Sequence, residues 1–242
     1  MNHIRTIIDK EWAEVFKNRM VILTMALLPA LFTAMPLLML GLTGGSSLPS
    51  GISAQESGLP QGFLAACENM NADECMQVYL LNQFLLLFMM MPILIPTTIA
   101  AYSIVGEKTT RSLEPLLATP ISTFELLAGK SLAAAIPGVL ITYVAFGIFL
   151  LGTVLIKISP AVRVYLFSPT WVVGVLALGP LLAVIATMFA VYVSSRVSDP
   201  RVAEQVSGLV ILPLMLVLGV VLAGILVINA WFMVAAVIVC AV

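Results

Sequence analysis

The sequence has few charged residues for its length. Asp, Glu, Lys and Arg make up 10% of its 242 residues, whereas they make up about a quarter of a typical soluble domain. Hydrophobic residues make up 61% of the chain. Because a chain this apolar cannot cover a water-exposed surface with polar groups, we expect lipid to be its main solvent.

Long stretches of the chain contain no charge at all. A helix needs about 20 apolar residues to cross the hydrocarbon core of a bilayer. The uncharged stretches predict five full spans, at about 20–43, 79–105, 131–156, 170–193 and 206–227. Asn229 lies where a tight turn could follow the fifth span, and 230–242 begins a sixth span that we expect to be truncated. The sequence thus predicts an all-α polytopic membrane helix bundle with five full spans and an incomplete sixth.

The lack of ionisable groups in these spans disfavours several classes of protein. Intramembrane enzymes need buried nucleophiles, acids or histidine ligands, and the only histidine is His3. We therefore expect no catalytic residue, no metal site and no cofactor in this chain. Ion-coupled secondary transport and a non-transporting membrane scaffold or assembly protein remain alternatives. The scattered Lys and Arg form no basic patch, so we expect no nucleic-acid partner.

The distribution of Lys and Arg predicts the orientation of the chain. Nine of the eleven lie in the N-terminal segment and in the connections 106–130 and 194–205, on one side of the predicted spans. The external connection 44–78 contains neither Lys nor Arg. By the positive-inside rule, the N-terminus is cytoplasmic. We expect a multi-pass protein of the plasma (inner) membrane whose first span, within the domain 20–242, is an uncleaved anchor.

Residues 1–19 have the pattern of an amphipathic helix. Apolar side chains recur at helical spacing and Trp12 lies at the edge of their stripe, which is typical of a helix in the cytoplasmic membrane interface. Lys10 lies away from the stripe, whereas Glu11 falls inside it. Two interpretations of Glu11 stay open. Its carboxylate bends toward water, or it makes a polar contact with a partner or with a cytoplasmic loop.

Two of the three cysteines share the external connection. An oxidising exterior would permit a disulfide between Cys67 and Cys75, and their separation of eight residues is feasible. Cys240 lies in the apolar C-terminal segment and fits a small hydrophobic side chain.

The cytoplasmic connection 106–130 contains the most informative pattern. Ser112 can cap a short helix over 113–118, with Pro115 in its first turn, where a missing N–H costs no hydrogen bond. Ser122 and Glu125 have the spacing of a capping box that begins the next helix. The short helix has an apolar face that requires a cytoplasmic partner or the membrane interface. This face consists of Leu113, Leu116 and Leu117.

The second cytoplasmic connection, 194–205, follows the same logic. Asp199 is a good N-cap residue, and Pro200 a good first helical residue. The sequence therefore predicts a helix that begins at Pro200 and continues through Ala203 into the fifth span.

Taken together, these segments resemble the permease subunits of ATP-binding-cassette transporters of the type-two exporter family. The resemblance covers nearly the whole chain and is most specific over 106–130. The chain departs from the family pattern in its incomplete sixth span and in the absence of a basic tail. The matching residues are Lys10, Glu11, Gly106, Glu107, Lys108, Ser112, Leu113, Glu114, Leu116, Leu117, Thr119, Pro120, Ile121, Ser122, Glu125, Gly129, Lys130, Ser198, Asp199, Pro200, Arg201 and Ala203.

The resemblance implies an ATP-driven exporter made of separate subunits. In that family the first cytoplasmic connection forms a coupling helix that docks on a cytoplasmic ATPase subunit, and two permeases of six spans each form a homo- or heterodimer. The residues to which it gives a coupling role here are Glu107, Arg111, Leu113, Glu114, Leu116, Leu117 and Glu125, together with the interfacial residues Lys10, Glu11 and Trp12.

This chain cannot itself supply the ATPase. Gly129-Lys130-Ser131 is similar to the end of a phosphate-binding loop, but Phe124 occupies the position of the required earlier glycine. ATP must therefore be bound and hydrolysed by a partner subunit. The uncharged spans favour an apolar or amphipathic substrate.

Overall fold

The regular structure of the chain is helical. A computed structural model describes residues 2–17, 19–43, 70–109, 121–156 and 158–241, and each regular element in these residues is a helix. In the same residues, five helical stretches are long and apolar enough to span a membrane, and a shorter apolar helix, Ala230–Ala241, follows them. The prediction of a polytopic all-α bundle is confirmed. The five stretches are Met25–Leu42, Ala72–Thr109, Thr123–Leu155, Pro160–Arg196 and Arg201–Leu222.

The helices are numbered here in chain order. Their bounds are α1 Asn2–Lys17, α2 Arg19–Thr43, α3 Ala72–Thr109, α4 Thr123–Leu155, α5 Pro160–Leu166, α6 Pro169–Val173, α7 Gly179–Arg196, α8 Pro200–Ser207, α9 Leu212–Leu222 and α10 Ala230–Ala241. A π-helical turn, Gly174–Leu178, joins α6 to α7, and a 3₁₀ turn, Gly208–Ile211, joins α8 to α9.

Several helices extend beyond the uncharged stretches into the connections expected from the sequence. Residues 72–78, 106–109 and 123–130 are helical. The carboxylates of Asp73 and Glu74 lie in the first turn of α3, where negative charge is favourable. An absence of charge marks only the part of a helix that is able to sit in hydrocarbon, so it underestimates the length of helices with polar ends.

The stretch Pro160–Arg196, which contains the span predicted over 170–193, is not one regular helix. It contains a π-helical turn, Gly174–Leu178, which ends two residues before Pro180. A proline in a helix lacks the N–H that would bond the carbonyl four residues earlier, and its ring clashes with that carbonyl. Here that carbonyl belongs to Leu176, and it accepts a hydrogen bond from the Tyr143 hydroxyl at 3.2 Å. We attribute the widened turn to Pro180.

The last predicted span boundary was wrong. We expected the fifth span to extend to residue 227, but α9 ends at Leu222. Gly224 has φ 71°, the left-handed conformation that glycine adopts without strain. Its N–H donates to the Val221 carbonyl at 3.0 Å, and the next N–H, of Ile225, donates to the Val220 carbonyl at 3.2 Å. These two bonds are the Schellman pattern that ends a helix.

Asn229, expected to occupy a turn, begins the following helix. Its side-chain oxygen accepts a hydrogen bond at 2.8 Å from the N–H of Phe232, in the first turn of α10. An asparagine oxygen three residues before a free N–H is a typical N-cap arrangement. The turn itself therefore lies at Gly224, five residues earlier.

The chain forms two compact units, each drawn from three separated parts of the sequence. The first unit comprises Met1–Leu28, Met90–Thr142 and Gly179–Leu212, and the second comprises Pro29–Met89, Tyr143–Leu178 and Pro213–Val242. The core of the second unit contains an aromatic cluster. The buried Trp171 ring stacks on Phe146 and Phe149, with ring centroids 5.9 and 5.8 Å away, and meets Phe88 edge-on at 5.9 Å. This cluster joins α3, α4 and α6.

Candidate functional site

A lysine lies buried near the start of α4. Ser122 and Glu125 form the predicted capping box, since the Ser122 N–H donates to Glu125 Oε2 at 3.0 Å and the Glu125 N–H donates to Ser122 Oγ at 3.2 Å. The capping box fixes the start of the helix, and Lys130 follows two turns later. Its side chain is 1% exposed. A buried ammonium group is very costly unless it is paired and hydrogen-bonded.

The partners of Lys130 come from two other helices. Its Nζ lies 2.7 Å from Glu11 Oε1 on α1 and 3.0 Å from Glu107 Oε2 on α3. It also donates to the Ser103 hydroxyl at 2.9 Å and to the Ser103 carbonyl at 3.2 Å. The ammonium group is thus surrounded by two carboxylates and two neutral oxygens.

Lys10 adds a second cation, which also pairs with the exposed Glu14 at 3.5 Å. Its Nζ donates to Glu107 Oε1 at 2.6 Å, and the Ser103 hydroxyl also lies 3.2 Å from Glu11 Oε2. We call Lys10, Glu11, Ser103, Glu107 and Lys130 the ion network. It contains two cations and two anions, it connects α1, α3 and α4, and all of it lies in the first compact unit.

The environment of Lys10 also favours its charged form. Partial burial alone would lower the pKa of the Lys10 ammonium group. The hydrogen bond and charge of Glu107, aided by the charges of Glu14 and Glu11, outweigh this effect, so the pKa is raised above its ordinary value of 10.5. Lys10 therefore stays protonated under physiological conditions.

Close packing holds α1 against α4. A Cβ atom on Gly129 would lie 2.9 Å from the Cγ2 atom of Ile7, so the two backbones approach more closely than an alanine would allow. The Trp12 indole N–H donates to the Ala133 carbonyl at 3.0 Å. Glu11 is buried, so the interpretation in which it bends toward water is wrong. Its contact is with Lys130 of the same chain.

The structure brings together only part of the site predicted from the sequence. Glu107, Lys10 and Glu11 meet in the ion network, Trp12 packs beside it, and Glu125 caps α4. The coupling helix 113–118 and its contact residues lie outside the described residues, so the ATPase-coupling role stays a prediction. Those contact residues are Arg111, Leu113, Glu114, Leu116 and Leu117.

Sequence reasoning gave no specific role to Lys130 or Ser103, which the structure places in the ion network. Lys130 was counted as the last residue of a cytoplasmic connection, although it precedes 26 uncharged residues and lies in a helix. A lone cation at the margin of a span, with a carboxylate inside the apolar stripe of another helix, was the available signal. Ser103 gave no signal, because its part depends on which helices meet.

The structure describes one of the two cysteines of the predicted disulfide, and it also describes two adjacent polar side chains of α3, Asn82 and Gln83. Cys75 is buried and disulfide-bonded, while Cys67 lies outside the described residues, so their pairing stays a prediction. Asn82 Nδ2 lies 3.5 Å from the Ile228 carbonyl. The amide atoms of Gln83 are buried and have no hydrogen-bond partner among the described residues.

The second cytoplasmic connection begins its helix as predicted. Asp199 precedes α8, and its carboxylate accepts a hydrogen bond at 2.8 Å from the N–H of Arg201.

In the part of the chain that the structure describes, no group of three or more His, Cys, Asp or Glu side chains could hold a metal ion.

Comparison with known protein families identifies a match over most of the chain. Residues 5–237 match the family model described as ABC-2 family transporter protein. The matched range contains the whole ion network and extends into α10. No curated protein matches the chain.

Proposed function

This chain belongs to the ABC-2 transporter family and is a membrane permease component of an ATP-binding-cassette transporter; from this premise we propose that it exports its substrate from the cytoplasm. A separate cytoplasmic subunit binds and hydrolyses the ATP, and a second permease, either another copy or a homologue, completes the pathway. The N-terminus is cytoplasmic, and the surrounding lipid is that of the plasma (inner) membrane.

The observation that carries this proposal is the position of the ion network. Helix α3 ends at Thr109 and α4 begins at Thr123, so the segment between them, which contains the predicted coupling helix, is attached at both ends to helices of the network. Glu107 lies two residues from the end of α3, and Lys130 lies in the second turn of α4. A force on the segment therefore acts on α1, α3 and α4 together.

The network also changes the part assigned to Glu107. Its carboxylate is engaged by Lys10 and Lys130, so we propose that it positions the end of α3 rather than contacting the ATPase subunit. Glu125 likewise holds the start of α4. Direct contact with the ATPase subunit is left to the apolar face of 113–118 and to Arg111 and Glu114.

The substrate class follows from the character of the spans. The described membrane-spanning stretches are strongly apolar, and burying an unpaired charge among them would be costly. An apolar or amphipathic molecule is the substrate that such a pathway fits best.

The test is purification of the tagged full-length chain from its native host in mild detergent, with identification of co-purifying proteins by mass spectrometry. We expect a stoichiometric soluble protein with a phosphate-binding loop. The double variant Leu113→Asp with Leu116→Asp should lose it while still inserting into the membrane.

Thr123→Asp is the matched control. It adds a carboxylate to the same connection, at an exposed position in the first turn of α4 where a negative charge is tolerated. The control should retain the soluble partner. Recovery of the unmodified chain alone, or with membrane proteins only, would contradict the proposal and favour the scaffold or the ion-coupled transporter.

A further inference from the structure

A serine at the end of α7 takes part in the backbone hydrogen bonding of α3. The Ser194 hydroxyl donates to the Ala101 carbonyl at 2.8 Å and accepts from the Val105 N–H at 3.1 Å. These two backbone groups, four residues apart, are the partners of a single helical hydrogen bond. A hydroxyl group from one helix thus bridges a turn of another, which is a recognised position for a bend in a helix.

Small buried residues make this approach possible. Ala101, Val105 and Ala203 form one fully buried cluster, with Val197 packed against it. Ser194 is also completely buried. Helices α3, α7 and α8 therefore meet closely at this point, and all of these residues belong to the first compact unit.

One turn further along α3, a lysine binds the end of α7. Lys108 Nζ donates to the carbonyls of Ser194 at 3.2 Å, Ser195 at 2.6 Å and Val197 at 3.1 Å. The last carbonyls of a helix have no partner within the helix, and a cation there also interacts favourably with the helix dipole. The three N–H groups of the ammonium match three carbonyls, so Lys108 caps α7 from another helix.

A third contact extends this linkage to α8. The Tyr102 hydroxyl donates to Glu204 Oε2 at 2.9 Å. Tyr102, within the turn that Ser194 bridges, therefore holds α8 to α3, and Lys108, further along α3, holds the end of α7.

We propose that Lys108 and Ser194 are positioning residues that make the second cytoplasmic connection, 194–205, move with the end of α3. A displacement of the first connection by the ATPase subunit is thereby passed to α7 and α8, although no residue of the second connection has to touch that subunit. The role in transport rests on the proposed function, whereas the mechanical linkage does not.

The linkage is tested by amide hydrogen exchange of the full chain in lipid nanodiscs, without nucleotide or partner. In Lys108→Met we expect the amides of 193–203 to exchange about tenfold faster, because hydrogen bonds to a charged group are lost. Exchange of the α1 amides should not change. Lys17→Met, at an exposed cation of α1, is the control, and Lys108→Arg should restore much of the protection.

Ser194 has a matched control at the adjacent position. Ser194→Ala should raise exchange in α3 around Val105 as well as in 193–203. Ser195→Ala should have no such effect, since the Ser195 hydroxyl bonds the Tyr192 carbonyl of its own helix. If Lys108→Met and Ser194→Ala both match their controls, the linkage does not exist and the inference is wrong.

The role in transport is tested on the complex with its co-purified ATPase subunit and a non-hydrolysable ATP analogue. In the unmodified complex we expect nucleotide to change exchange in 106–109 and in 193–203. In Lys108→Met only the first response should remain. An unchanged second response would overturn the transmission role, while failure to recover any ATPase subunit would contradict the proposed function and leave the nanodisc result standing.

Discussion

The two compact units of this chain bury clusters of opposite chemistry, although α3 and α4 contribute to both. The first unit buries Lys130 with two carboxylates, and small residues fill the contact between α3 and α8. The second unit packs Trp171 between phenylalanines. The contrast shows that one pair of helices can carry an ionic contact surface along one part of its length and an aromatic one along another.

This difference matters because the two kinds of core fail differently. An ion network requires all its members, since removing one leaves a buried charge without compensation. An aromatic cluster depends on volume and contact area, and it loses stability in proportion to the space left empty. The stability of the first unit should therefore depend on charge balance, and the stability of the second unit should depend on side-chain size.

The largest effect is expected from Lys130→Met. This variant leaves Glu11 and Glu107 buried near each other without Lys130, and we expect a loss of about 3–5 kcal/mol of stability. Thermal or denaturant unfolding in detergent measures it. Adding Glu107→Gln to Lys130→Met restores neutrality and should recover a large part of the loss. If Lys130→Met alone is as stable as the control variant Lys17→Met, the ion network does not contribute to stability.

A smaller loss is expected from the second unit. Trp171→Leu keeps the site apolar but removes volume between Phe146 and Phe149, at a cost of about 2–3 kcal/mol. The same unfolding measurement applies. Trp231→Leu is the control, because Trp231 is 83% exposed and its replacement should cost little. Equal losses of stability for Trp171→Leu and Trp231→Leu would show that Trp171 does not stabilise the second unit through its aromatic contacts.

The packing of α1 on α4 is tested with two glycines. Gly129→Ala forces a methyl group against Ile7, and we expect a loss of about 1–3 kcal/mol. Gly106→Ala, on α3, meets no atom within 4 Å and should be neutral or slightly stabilising. Ile7→Ala should partly rescue Gly129→Ala but have no such effect on Gly106→Ala. If Ile7→Ala rescues neither glycine variant, or rescues both, Ile7 is not the residue against which the Gly129→Ala methyl group packs.

The smallest effect concerns the dependence of stability on pH. The raised pKa of Lys10 means that its pairing contributes stability fully below 10.5, its ordinary value, and that this contribution is lost as pH rises through the higher pKa of the folded state. Because Lys10 is partly exposed, we expect about 1 kcal/mol or less. The stability difference between the unmodified chain and Lys10→Met should shrink only above the ordinary pKa. If this stability difference already shrinks near neutral pH, the raised pKa of Lys10 is wrong.

Local signals in the sequence were reliable where the interactions are themselves local. The Ser122–Glu125 capping box and the Asp199 cap both form as predicted, because each joins groups within a few residues. The end of α9 was predicted wrongly, because no charged residue follows it to mark where the span ends. The helix ends instead before Gly224, a glycine in the left-handed conformation. The π-helical turn before Pro180 has a local cause, whereas the group that satisfies the freed Leu176 carbonyl, Tyr143, lies in another helix.

The sequence by itself determined that this chain is a helical membrane protein, where its apolar helices lie and how several of them begin. It could do so because spanning length, apolar composition and capping act within one segment. Only the tertiary structure decided that Glu11 and Glu107 share Lys130, and that Ser194 and Lys108 join α7 to α3. Apart from the pair Glu107 and Lys130, those contacts link residues about 90 to 120 positions apart, and the burial that gives them their strength exists only when the helices pack.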